Sequence, residues 1–238
     1  GALGDLLAGT SLAPSLAEGQ LWLGRAYLAK GETPSAIGVF RRAVDLAPRD
    51  AQNHLWLGTA LEKSGGLSEA VDAYRAAAAA DPKPVEPHER IGALYAASGR
   101  CDQAVPAFER AVALSPRESR LRIALGDCKH EQKKYAEAIE IFREVVRADP
   151  AGAKQVYYRL GRSVQAEEGL RAAVPWYERA AREDPANPMP FYYLGYYHKQ
   201  RGDRRRAIQS FKAYLAARPD ADDRKDIEAE IESLGGTP

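Results

Sequence analysis

The sequence predicts an all-α fold of the α-solenoid class, a right-handed superhelix of antiparallel helix pairs. Three observations support this: a repeat of about 34 residues, small and aromatic residues at fixed places within it, and a proline that closes each unit. Six glycines mark the repeat, spaced 34, 34, 34, 35 and 34 residues apart: Gly24, Gly58, Gly92, Gly126, Gly161 and Gly195.

Each marker glycine is followed by an alanine, an aromatic residue and a proline at constant intervals. The alanines are Ala36, Ala70, Ala104, Ala138, Ala173 and Ala207; the aromatics are Phe40, Tyr74, Phe108, Phe142, Tyr177 and Phe211; the prolines are Pro48, Pro82, Pro116, Pro150, Pro185 and Pro219. Glycine and alanine let two helix backbones approach, and the ring fills the space beside that contact. Because proline ends the second helix, each unit is predicted to be a helix, a turn and a helix.

Turn signals lie between the two predicted helices of most units. Glycines suited to a helix end are Gly31, Gly65, Gly99 and Gly202. Thr33 and Pro34 predict an N-cap followed by proline at the first helical position. The fourth unit has Lys133 where the others have glycine, and the fifth has Gly169 one residue late.

The predicted organisation is a single array with no internal domain boundary. Six repeats are expected at 17–50, 51–84, 85–118, 119–153, 154–187 and 188–221. Residues 1–16 are predicted to be the second helix of a truncated unit, because Ala2, Leu6 and Pro14 fall at its small, bulky and closing positions. We therefore expect the array to extend upstream.

Residues 222–238 are predicted to form a capping helix and tail. Asp222 or Asp223 is the expected N-cap, and Ile227, Ile231 and Leu234 lie on one helical face. We expect this end to be the natural carboxyl terminus.

Composition excludes several classes of function. With 34 Lys and Arg against 33 Asp and Glu, the net charge is +1, which favours neither nucleic acid nor an anionic membrane. No apolar stretch is long enough to span a bilayer, and no signal-peptide pattern is present in this sequence. The Ala- and Arg-rich composition suggests a bacterial source, and the expected compartment is the cytoplasm, with the periplasm as the alternative.

Catalytic, cofactor and metal signatures are absent from the sequence, which predicts a protein that is not an enzyme. His54, His88 and His198 fall at helix positions that favour structural roles, and His130 is expected to face solvent. Cys101 and Cys128 lack metal-ligand spacing, and two buried thiols are favoured over a disulfide.

The repeated motif resembles that of the tetratricopeptide repeat family. In the first unit the match is Leu23-Gly24, Tyr27, Ala36, Phe40, Ala43 and Pro48, and equivalent sets follow in the next five. The sequence departs from the family at its tryptophan near the start of the first helix, where this chain has Gln20, His54, His88, Arg122, Tyr157 and Phe191.

The resemblance implies that the first helices of the repeats line a concave surface that binds a partner segment. The residues predicted to contact that partner are Leu21, Trp22, Arg25, Leu55, Trp56, Thr59, Arg90, Ile123, Asp127, Tyr158, Arg159, Arg162, Tyr192, Tyr193, Tyr196 and Lys199. Exposed aromatics beside arginine are typical of interface hot spots. The alternative is that some pack against neighbouring repeats, and Tyr157 and Tyr197 are predicted to be core residues.

Two clusters stand out within this set. Trp22 and Trp56 are predicted to anchor an apolar segment. Residues 154–221 hold 13 Lys or Arg against 7 Asp or Glu, a local balance of +6, together with 8 of the 12 tyrosines, so an acidic partner segment is expected at that end. The run Arg204–Arg206 is predicted to be a solvated loop.

The function predicted is a non-enzymatic scaffold for a protein or peptide partner, within a larger complex. One alternative is the regulatory or substrate-recruiting region of a larger enzyme. Another is nucleic-acid binding through the basic carboxyl-terminal half. Some relatives grip a terminal carboxylate with two Lys, two Asn and an Arg; the matching positions hold Leu21, Arg25, Trp56, Glu86 and Arg90, so that mode is disfavoured.

Overall fold

The computed structural model describes residues 16–150 and 152–237. The chain divides into two compact units, Gly1–Arg117 and Glu118–Pro238. The repeat periodicity by itself predicts no such boundary. Within the described ranges the chain forms thirteen α-helices and no strand. The half-repeat predicted at 1–16 falls outside the described residues, apart from Leu16.

The amino-terminal unit consists of three helix pairs in chain order. Its helices are α1 (Ala17–Ala29), α2 (Thr33–Leu46), α3 (Ala51–Lys63), α4 (Leu67–Ala80), α5 (Glu86–Ala97) and α6 (Cys101–Leu114). Each helix packs on the next, and α1 also contacts α3. The first helices of the pairs are therefore α1, α3 and α5, and the second helices are α2, α4 and α6.

The carboxyl-terminal unit contains three further pairs and a last single helix. Its helices are α7 (Ser119–Glu131), α8 (Tyr135–Ala148), α9 (Tyr157–Glu168), α10 (Leu170–Glu183), α11 (Met189–Gln200), α12 (Arg204–Ala217) and α13 (Arg224–Ser233). A short 3-10 turn, Gly152–Gln155, precedes α9. The first helices of these pairs are α7, α9 and α11.

The marker glycines lie where an aromatic ring of the second helix meets the backbone of the first. A Cβ added at Gly24 would lie 2.5 Å from the Phe40 ring, and one added at Gly58 would lie 2.7 Å from the Tyr74 ring. The other four glycines face their own partner rings in the same way. A side chain would clash there, so the sequence prediction of close helix approach is confirmed.

Helix ends agree with most of the turn signals. Each second helix ends two residues before its proline. The glycines predicted to end first helices have positive φ, and Lys133 adopts the same backbone conformation with φ 61°. Thr33 is an exception: it begins α2 rather than capping it, and the N-cap is Glu32. Asp223 is the N-cap residue of α13, but its carboxylate accepts a hydrogen bond from Tyr214 instead of capping the helix.

Core residues come from the faces that the helices turn toward one another. In the carboxyl-terminal unit, Phe142 and Tyr177 are fully buried with the apolar residues of α8, α9 and α10. Phe211 and Tyr214 pack with Ile227 and Ile231 of α13, so the last helix covers the apolar side of α12. Both predicted buried thiols, Cys101 and Cys128, are buried.

Candidate functional site

Two surfaces contain most of the predicted partner-binding residues, one in each unit. The tryptophan cleft lies between α1 and α3, an open cavity of about 470 Å³ lined by Trp22, Arg25, Ala26, Leu28, Ala29, Trp56, Thr59 and Lys63. The tyrosine cluster lies on α9 and α11, and consists of Tyr158, Arg159, Arg162, Tyr192, Tyr193, Tyr196 and Lys199.

Stacked side chains form the wall of the tryptophan cleft. The Arg25 guanidinium lies 4.2 Å from the centre of the Trp22 ring and 4.8 Å from that of Trp56. Trp22 is 45% exposed, which is unusual for so large an apolar side chain. Cation–π attraction holds the charged group between the two rings while leaving it open to the cleft.

The leucines beside the two tryptophans differ from the prediction. Leu21 is half-buried against the core, and Leu55 is 9% exposed and therefore buried. Leu55 is therefore removed from the predicted binding surface. Trp56 stacks on Phe40 at 6.2 Å and is half-buried, so it belongs to both the core and the cleft.

Charged groups of the cleft are available to a ligand. Among the described residues, Arg25 and Lys63 have no carboxylate partner. The Thr59 hydroxyl donates to the backbone carbonyl of Leu55 and is thereby satisfied. Arg90 is also among the predicted partner-binding residues, but its guanidinium already has carboxylate partners. It pairs with Glu62 at 3.5 Å and with Glu86 at 3.7 Å.

Tyrosines of the carboxyl-terminal unit pack against its core. The Tyr193 ring stacks on the buried Tyr177 ring at 4.9 Å, and the Tyr158 ring lies 6.1 Å from that same Tyr177 ring. Burial, with the neighbouring Tyr193, raises the pKa of Tyr158 to about 12. Ile123 packs against this same core and is partly buried. These side chains therefore contribute to folding as well as to the surface.

The other two tyrosines of the cluster pack against the core formed by α12 and α13. The Tyr192 ring lies 4.9 Å from that of Tyr196 and 5.5 Å from that of Tyr214, and the Tyr196 ring meets Phe211 edge-on at 5.1 Å. Burial, then Tyr192, raises the pKa of Tyr196 to about 12. Of the two tyrosines predicted to be core, Tyr157 is buried and Tyr197 is half-buried against the core.

Arg159 is held by groups of its own unit. Its Nε atom lies 3.0 Å from both carboxylate oxygens of Asp127, and its Nη1 atom donates to the carbonyl of Gln155 at 2.5 Å. Burial raises the pKa of Asp127, and the attraction to Arg159 opposes that shift. Two predicted contact residues thus form an ion pair with each other.

His130 is half-buried and not solvent-facing as predicted, because α9 contributes two polar partners. The Ser163 hydroxyl donates to the Arg159 carbonyl at 3.1 Å, so it accepts from His130 Nδ1 at 2.9 Å. That leaves Nε2 to accept from Arg162 at 3.2 Å. Burial, followed by Arg162, lowers the pKa of His130 and favours this neutral ring.

The remaining cations of the tyrosine cluster also have acidic neighbours. Arg162 lies 3.9 Å from Glu131 of α7. Lys199 forms an ion pair with Glu230 of α13. The three cations of the tyrosine cluster are therefore each engaged by a carboxylate of the same unit.

Sequence reasoning missed Lys63 and Glu230. Lys63 stands five residues after Gly58, a position that the family resemblance places on the exposed side of the first helix. Glu230 carries no such signal, because α13 lies outside the repeats. Within ranges 16–150 and 152–237 no cluster of metal-ligating side chains is found, and no helix there is long and apolar enough to cross a membrane.

Comparisons with known proteins agree with the repeat pattern. A family model described as tetratricopeptide repeat matches residues 2–51, 21–83, 90–153 and 158–222. TPR repeat-containing protein YpiA of Bacillus subtilis is 31% identical over 93 residues, which is 39% of this chain and 22% of YpiA. The match therefore spans less than a quarter of that relative.

Solved structures show the same fold. The carboxyl-terminal part of a TPR repeat-containing protein from Cytophaga hutchinsonii superposes with a TM-score of 0.83 at 18% identity, over 95% of this chain and 93% of that one. YrrB, described as a TPR protein with an unusual peptide-binding site, superposes with a TM-score of 0.70 at 19% identity, over 79% of this chain and 96% of that one.

Proposed function

This chain belongs to the tetratricopeptide repeat family, and from that premise we propose that it is a non-enzymatic scaffold that binds a segment of a partner protein. The tryptophan cleft is the proposed anchor. The observation that carries the proposal is the guanidinium of Arg25, held between the Trp22 and Trp56 rings without a carboxylate partner among the described residues.

The chemistry of the cleft defines the segment that fits it. Trp22, Trp56, Ala26 and Ala29 provide an apolar wall, which suits an aliphatic or aromatic side chain. Arg25 and its neighbour Lys63 suit a carboxylate next to that side chain, and arginine pairs with carboxylates through two parallel hydrogen bonds. We propose a partner segment in which an apolar residue adjoins Asp or Glu. YrrB, which has the same fold, is described as having a peptide-binding site, and this supports a peptide as the kind of ligand.

Peptide selection followed by mutation tests the proposal. A random peptide library is selected on the intact chain, and the best peptide is labelled with fluorescein and titrated by fluorescence anisotropy. The double variant Trp22→Ala/Trp56→Ala is expected to lose about 2 kcal/mol of binding free energy, about 30-fold in Kd.

Leu46→Ala serves as the matched control, because Leu46 is another exposed apolar side chain of the same unit and lies outside the cleft. It should bind as the wild-type chain does, and circular dichroism should show unchanged helicity for both variants. Equal binding by the double variant and the wild-type chain would contradict the proposal.

A further inference from the structure

A second cavity of the amino-terminal unit lies on the side formed by its second helices. It is an open groove of about 620 Å³ between α4, α5 and α6, which we call the second-helix groove. None of its lining residues belongs to the tryptophan cleft, and none was predicted to bind a partner. The groove therefore calls for an explanation of its own.

Positive charge lines the edges of this groove. Arg75 of α4 donates to the Tyr95 hydroxyl at 3.0 Å and lies 3.5 Å from Asp72, in an exposed pair that binds only weakly. Arg110 of α6 is exposed and has no ion pair among the described residues. The carboxylate that lines the groove is that of Asp102, at an exposed position on α6.

Small and apolar residues form the floor. Ala78 of α4, Ile91 of α5 and Ala107 of α6 line the groove together with the ring of Tyr95. The small ring of His88 also leaves room in the groove. The equivalent position of the fifth repeat holds Tyr157, whose larger ring is buried, whereas the smaller His88 ring remains partly exposed.

We infer that the second-helix groove binds an acidic segment of a second partner protein, with small apolar side chains on its floor and carboxylates facing Arg75 and Arg110. Charge complementarity decides this choice, since Arg110 has no ion pair among the described residues and Arg75 has only its exposed pair with Asp72. Because this groove and the tryptophan cleft have separate linings, one chain could hold two partners at once.

His88 provides a readout that does not depend on affinity. The charged residues that line the groove with His88 are Arg75 from α4, and Asp102 and Arg110 from α6. Burial, followed by Arg110, lowers the pKa of His88. Carboxylates bound beside the ring favour its charged form, so the pKa measured by NMR should rise when an acidic peptide binds.

The experiment uses the Trp22→Ala/Trp56→Ala chain, so that the first site cannot contribute and failure of one proposal leaves the other standing. A random peptide library is selected on this chain. The selected peptides should be enriched in Asp and Glu among small apolar residues, should raise the His88 pKa, and should bind Arg110→Glu about tenfold more weakly.

Arg49→Glu is the matched control, because Arg49 is exposed in the same unit and lines neither cavity. It should retain wild-type affinity for the selected peptides. Peptides without acidic enrichment, or peptides that bind Arg110→Glu as well as wild type, would overturn the inference. Binding of a labelled single-stranded oligonucleotide that Arg110→Glu abolishes would also overturn it, since the groove would then serve nucleic acid.

Discussion

The tryptophan cleft and the tyrosine cluster contain similar residue types, yet they differ in what those residues already contact. In the cleft, nearly half of the Trp22 side chain is exposed, and Arg25 and Lys63 have no carboxylate partner among the described residues. In the cluster, the tyrosine rings pack on core residues, and Arg159 and Lys199 pair with acidic side chains of the same unit. Composition along the chain therefore overstates what the cluster offers a partner.

The two regions should differ most strongly in how much stability is lost when one aromatic ring is removed from each. Tyr193→Ala removes a ring stacked on Tyr177 and should lower the free energy of unfolding by about 2 kcal/mol. Trp22→Ala removes a ring that is 45% exposed and stacked by the Arg25 guanidinium, and should lower the free energy of unfolding by about 0.5 kcal/mol. Urea unfolding followed by circular dichroism measures both. If the two losses are equal, the contrast between the regions disappears.

The two regions should also differ in how much peptide affinity is lost when one arginine of each is changed to glutamate. Arg25→Glu is expected to weaken binding of the selected acidic peptide about tenfold, because it places like charges together in the cleft. Arg159→Glu should leave the affinity unchanged, since Arg159 is engaged by Asp127. Anisotropy titrations at two salt concentrations provide the comparison. A larger effect from Arg159→Glu would place the binding site in the tyrosine cluster.

The ion pair between Lys199 and Glu230 should show a small but measurable coupling. A double-mutant cycle with Lys199→Ala and Glu230→Ala should give an interaction energy below about 1 kcal/mol, because both side chains are partly exposed. Thermal melts of the four chains provide the energies. Zero coupling would mean that Lys199 is available to a partner.

The smallest effect expected is in the pH dependence of stability. The pKa of His130 is lowered in the folded chain, so the unfolded chain binds more protons once pH falls through 6.5. His130 therefore makes the folded state less stable as pH falls through that window. His130→Asn should show a shallower loss of stability in urea titrations at successive pH values. If the free energy of unfolding depends on pH in the same way for both chains, the folded state does not hold His130 neutral, and this prediction is wrong.

Repeat periodicity predicted the fold well because each repeated residue has one local task. Gly58 meets Tyr74, and the second helices end just before their prolines, whatever the surrounding sequence. The candidate site was less predictable. Leu55 is buried in the fold, and Lys199 meets a glutamate of α13. Lys199 and Glu230 are 31 positions apart, and no pattern in the sequence marks that contact.

Fluorine NMR of the chain labelled with 5-fluorotryptophan tests the central claim most directly. The chain has three tryptophans, of which Trp22 and Trp56 lie in the cleft and Trp176 packs against the core of the other unit. Adding the peptide selected on the intact chain should shift the resonances of Trp22 and Trp56 and leave that of Trp176 unchanged. Unchanged Trp22 and Trp56 resonances at saturating peptide would contradict the account.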